Sequence, residues 1–122
     1  MLLVKPSPGK GRGVFAGRDF LAGETFEFSP VIVIPENELV GIRRTVLSNY
    51  FFKWGKDGAF ALGVGSLFNH SYEPNATFTI LIDRQEIEFK AIKEIAAGEE
   101  ITINYNGDPH DRSRLWFKVD ET

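Results

Sequence analysis

Asn69-His70-Ser71-Tyr72-Glu73-Pro74-Asn75 is a polar run set directly behind an apolar one, Gly65-Ser66-Leu67-Phe68. Its mixture of two asparagines, a histidine and a proline is richer than a plain turn requires. A second stretch, Gly98-Glu99-Glu100-Ile101-Thr102-Ile103-Asn104-Tyr105, reads as a turn followed by a strand that delivers a tyrosine to a loop. Read together, the two stretches mark a site and a presented hydroxyl.

Outward from these, the pattern is one of short strands punctuated by turn residues. Leu2–Lys5 predicts a first strand, stopped by Pro6 and Pro8. Gly13–Ala16 predicts a second, behind the glycine-rich Gly9-Lys10-Gly11-Arg12. Thr25–Phe28 and Val31–Ile34 read as two strands broken at Pro30. Between Asn37 and Phe52 the spacing of Leu39, Ile42, Val46 and Tyr50 is roughly helical, while Gly41 and the β-branched residues oppose a long helix. Ala59–Leu62 predicts a strand, and Thr77–Ile82 faces Glu86–Ile92 across Asp83-Arg84-Gln85 as a hairpin. Ile101–Tyr105 predicts the last strand, and 111–119 a short helix carrying Leu115, Trp116 and Phe117.

Composition narrows the chemistry. The chain has 122 residues, which suits one domain. Eleven phenylalanines are enough to dominate a small core. The absence of cysteine excludes disulfides, thiolate zinc and a cysteine nucleophile, and two histidines, His70 and His110, argue against a histidine-rich metal site. A net charge of -3 and a pI near 5.4 oppose nucleic-acid binding through phosphates and suit a basic peptide partner. No apolar run is long enough to span a membrane, and Met1 to Lys10 lacks the features of a secretory signal. The expectation is a cytoplasmic protein, or one acting in a host nucleus if it is a secreted effector.

Taken residue by residue, the chemistry stays open. Lys10-Gly11-Arg12-Gly13 lets backbone approach a ligand but lacks the spacing of a dinucleotide or phosphate loop. Asn69 offers donors and an acceptor. His70 suits a general base, a ligand or a satisfied core residue. Tyr105 is either a core residue with its hydroxyl bonded or a hydroxyl aimed into a ligand channel, with Tyr50 as a second. Glu99 and Glu100 read first as a solvated turn, and second as a substrate-facing or hydrogen-bonding pair. No catalytic triad or acid/base carboxylate pair can be assembled.

The order of three elements resembles the SET domain of protein-lysine methyltransferases, from about Val4 to Asp108. Gly11-Arg12-Gly13-Val14-Phe15-Ala16 is similar to the family's first glycine motif. Asn69-His70-Ser71 with Pro74-Asn75 is similar to its central motif, and Gly98 to Tyr105 to its final one. The resemblance implies a mainly β fold of small curved antiparallel sheets with little helix, of the β-clip type. It also implies a C-terminal pseudoknot that threads Tyr105 against Asn69 and His70, which ordinary topology rules make rare. One domain would span 1–122, with a core of about 4–108 and a tail, 109–122, closing the site.

The implied activity is transfer of methyl groups from S-adenosylmethionine to a lysine of a protein, including a histone or histone-like protein. By carry-over, Lys10, Gly11, Arg12, Gly13, Asn69, His70, Tyr105 and Trp116 bind the cofactor, with Phe117 as the other aromatic that would cover it. Tyr105 and Tyr50 are the catalytic residues at the lysine channel, and no metal is implied. Three departures stand out. Asn104 replaces a frequent aspartate, Ile101 a frequent leucine, and Ile103 a frequent aromatic that influences how many methyls are added. A chain this small would borrow surface from a second copy, as a homodimer. The competing reading is a SET-like module without catalysis that recognises a peptide.

Overall fold

The computed structural model describes residues 1–113. Leu115, Trp116 and Phe117 therefore lie outside the described residues. Strands β1 (Leu2–Ser7) and β2 (Gly11–Ala16) form an antiparallel hairpin. β3 (Thr25–Ile34) leads into α1 (Glu36–Ile42), and a 3-10 turn, Val46–Asn49, precedes β4 (Phe51–Trp54) and β5 (Asp57–Ala61). The two-residue β6 (Asn69–His70) is followed by the hairpin of β7 (Ala76–Leu81) and β8 (Glu86–Ala91), and by β9 (Glu100–Ile103). One sheet has the order β1-β2-β9-β6 and the other β4-β5-β3-β8-β7.

Several expectations are corrected in their bounds. β1 runs through Pro6, because β1 is the sheet edge and Pro6 has no inner neighbour that needs its missing N–H. Pro30 does not break β3. It sits where the strand changes partners: Thr25 to Pro30 pair with β8, and Val31 to Ile34 pair with β5. The Pro30 carbonyl still accepts from Leu62 N–H at 2.9 Å. The region 37–52 yields only a short helix, as Gly41 suggests, and then β4, which the helical spacing hides. The last strand ends at Ile103, so Tyr105 stands beyond it.

The core is aromatic. Phe68 lies 4.7 Å from Phe89 and 5.9 Å from Phe26, ring centre to ring centre, and Phe52 packs on Phe78 at 5.0 Å. Val14, Ile101 and Ile103 are fully buried beneath β2 and β9. Burying each large apolar side chain contributes about 1.5–3 kcal/mol. Phe68 is the residue immediately before Asn69, so this packing fixes where the polar run begins.

Candidate functional site

The polar run does not stay a loop. Asn69 and His70 pair in parallel with Thr102 and Ile103 of β9, and Ser71 N–H continues the ladder to the Ile103 carbonyl at 2.9 Å. Asn75 closes the other end. Its Nδ2 donates to the Glu100 carbonyl and its Oδ1 accepts from Thr102 N–H, both at 2.9 Å. A buried asparagine side chain thus satisfies the Glu100 carbonyl and the Thr102 N–H of β9. β9 is clasped between β2 and these two segments.

Tyr105 follows two residues after β9. Its backbone N–H donates to His70 Nδ1 at 2.9 Å, and its hydroxyl donates to the Phe68 carbonyl at 2.6 Å. The His70 and Tyr105 rings meet at 5.2 Å between centres. Burial pushes the Tyr105 hydroxyl well above the ordinary phenol range, and the nearby Tyr50 and Glu100 add to the shift. Tyr50, which ends the 3-10 turn, is therefore within electrostatic reach of Tyr105. The phenol is a neutral group with its proton committed to a carbonyl, and its oxygen keeps acceptor capacity. Asn104 explains its own departure: Oδ1 accepts from Asn106 N–H at 3.0 Å while Nδ2 donates to the Asp111 carbonyl, and an aspartate could not donate.

The glycine turn sits beside this junction. Lys10 N–H closes it on the Ser7 carbonyl at 3.0 Å, and Gly11 takes a positive φ of 74°. A side chain on Gly13 would run into the Glu100 carboxylate and the Asn69 amide. Asn69 Nδ2 donates both to the Arg12 carbonyl at 2.9 Å and to Glu100 Oε2 at 2.7 Å. Gly11, Arg12, Gly13, Asn69, His70 and Tyr105 are thus gathered into one linked cluster, with the Lys10 backbone at its rim. Trp116 is not among the described residues.

Three contributors escape a reading of the sequence. Phe68 looks like core and is, yet its carbonyl anchors the tyrosine. Glu99 and Glu100 read first as one solvated turn, with hydrogen bonding second and no sign of which of the two does it. Glu99 does cap that turn, accepting from Ala96 N–H at 2.9 Å, but Glu100 points inward. The alternation of inward Ile101 and Ile103 carries no signal for this, because Glu100 faces the opposite side. Tyr72 packs edge-on against His70 at 4.5 Å, and its hydroxyl donates to the Ser113 carbonyl at 2.9 Å.

Comparison with known proteins gives the same answer as the geometry. A histone-lysine N-methyltransferase of Schizosaccharomyces pombe, specific for H3 lysine-37, is 37% identical over 120 residues, covering 96% of this chain and 77% of that protein. A Plasmodium falciparum crystal structure, named as a candidate histone methyltransferase, superposes with a TM-score of 0.66 at 24% identity, over 88% of this chain and 99% of that one. That likeness speaks to fold alone. The Chaetomium thermophilum polycomb repressive complex 2 bound to S-adenosylmethionine matches with a TM-score of 0.72 and 27% identity, over 85% of this chain and 15% of that one. The SET domain model matches residues 11–106, a span that holds the glycine turn, the β6 run and Tyr105, and this chain belongs to the SET-domain family.

Proposed function

We propose that this protein transfers methyl groups from S-adenosylmethionine to a lysine side chain of a histone or histone-like protein. The observation that carries the reading is the double tether of Tyr105, backbone to His70 and hydroxyl to Phe68, beside the Gly13–Asn69 cradle. The cradle suits the cofactor. At Gly13 the absent side chain lets Glu100 and Asn69 come against the backbone, and at Gly11 nothing lies within 4 Å of where a Cβ would be, which leaves the turn open to a ligand on that side.

When bound, S-adenosylmethionine supplies an electrophilic methyl on a sulfonium, which leaves as a thioether as the N–C bond forms. The residues of the chain do the rest by placement. Gly11, Arg12 and Gly13 would hold the cofactor through backbone, with Lys10 beside them, and Asn69 and His70 would border its amino-acid and adenine portions. Tyr105 would present its oxygen to the reacting methyl and amine, and Tyr50 would line the lysine channel with it. The lysine, with an ordinary pKa of ~10.4, must enter as the neutral amine. Aromatic walls disfavour the ammonium, whose proton leaves to solvent before transfer. Tyr105 is not the base, since burial keeps its phenol protonated. In-line positioning of this kind supplies up to about 7–11 kcal/mol of the acceleration.

The test is transfer of tritiated methyl to a panel of histones, followed by mass spectrometry of the labelled residue. Label on a lysine is expected. Absence of label, with no heat of S-adenosylmethionine binding, supports the non-catalytic module instead.

A further inference from the structure

Glu100 is held from three sides. Ser7, buried on β1, donates through Oγ to Oε1 at 2.8 Å, and Asn69 donates to Oε2 at 2.7 Å. The Gly13 backbone closes the third side, so closely that a Cβ there would strike the carboxylate. Among the described residues, the ion pairs of Arg18, Arg84 and Arg112 are made with Glu24, Glu86 and Glu73, and none involves Glu100. Glu100 is thus a carboxylate held beside the Gly13 backbone by neutral donors, with its charge not spent on any of these ion pairs.

Asn69 supplies the direction. Both partners of its amide, the Arg12 carbonyl and the Glu100 carboxylate, only accept hydrogen bonds. The nitrogen must therefore face them, and the carbonyl oxygen faces away. We propose that Glu100 is a positioning residue for the α-ammonium group of S-adenosylmethionine. It locks Asn69 with Oδ1 presented as an acceptor and sets a negative charge behind that acceptor. This rests on the methyltransferase reading above and assigns the group within that site that selects a charged amino-acid end.

Glu100→Gln separates charge from shape. The amide oxygen still accepts from Asn69, and Ser7 can turn from donor to acceptor. Calorimetry on wild type and Glu100→Gln would use S-adenosylmethionine and its deaminated α-keto analogue. The Kd for S-adenosylmethionine should rise about tenfold or more in the variant, while that for the keto analogue stays within about twofold. Equal weakening of both ligands, or of neither, overturns the proposal. So does equal affinity of the wild type for the two, a result that needs no variant. If the wild type binds neither, the methyltransferase reading itself falls. Unchanged side-chain amide signals of Asn69 in Glu100→Gln would show that the lock survives and that only the charge has gone.

Discussion

His70 Nδ1 accepts the backbone N–H of Tyr105 at 2.9 Å, so the histidine of the polar run holds the tyrosine that follows β9. Among the roles the sequence leaves open, this one makes His70 a clamp on the chain rather than a base acting through Nδ1. Its ring is 4% exposed, which removes it from direct competition by water.

Replacing His70 with alanine leaves the Tyr105 N–H without this acceptor. The expected cost is about 1–3 kcal/mol, read from urea unfolding, on top of the lost ring packing. His70→Asn should recover part of it, because asparagine Oδ1 falls near the place of the histidine Nδ1. Equal loss in both variants would show that the bond contributes nothing.

The two glycines of the turn should fail differently. Gly13→Ala forces a methyl against Glu100 and Asn69, and overpacking of that kind costs about 1–3 kcal/mol. Gly11→Ala meets open space but takes a positive φ, at about 1–2 kcal/mol. Both lower the thermal midpoint. Only Gly13→Ala should shift the side-chain amide resonances of Asn69.

The hairpin of β7 and β8 is legible in the sequence because its residues alternate on a half-buried sheet and Gln85 can take the left-handed turn, φ 51°. β6 is not legible, since two residues carry no period, and its strand character comes from β9 far along the chain. Pro30 misleads for a related reason: a proline at a change of partners looks like a strand end. The glycine turn, Asn69, His70 and Tyr105 are visible as motifs, whereas the inward turn of Glu100 is a tertiary fact. Nothing local distinguishes it from Glu99.

Burial raises the Tyr105 pKa, with Tyr50 and Glu100 adding to it. The folded state therefore holds this proton more tightly than the unfolded chain, whose phenols ionise near pH ~10. The stabilisation is complete below that pH and is lost as pH rises beyond it. Tyr105→Phe should accordingly flatten the fall in stability above pH ~10. It should also leave unchanged the phenolate absorbance that develops before alkaline unfolding. A Tyr105-dependent phenolate in the folded protein would contradict the assignment.

The most direct measurement is single-turnover methyl transfer by wild type and Tyr105→Phe, with S-adenosylmethionine affinity determined on the same samples. Loss of one hydroxyl aligned on the reacting groups should slow transfer about 100-fold or more. Affinity should stay within about threefold, the signature of an interaction made in the transition state. A variant that transfers methyl at the wild-type rate would contradict the account at its centre.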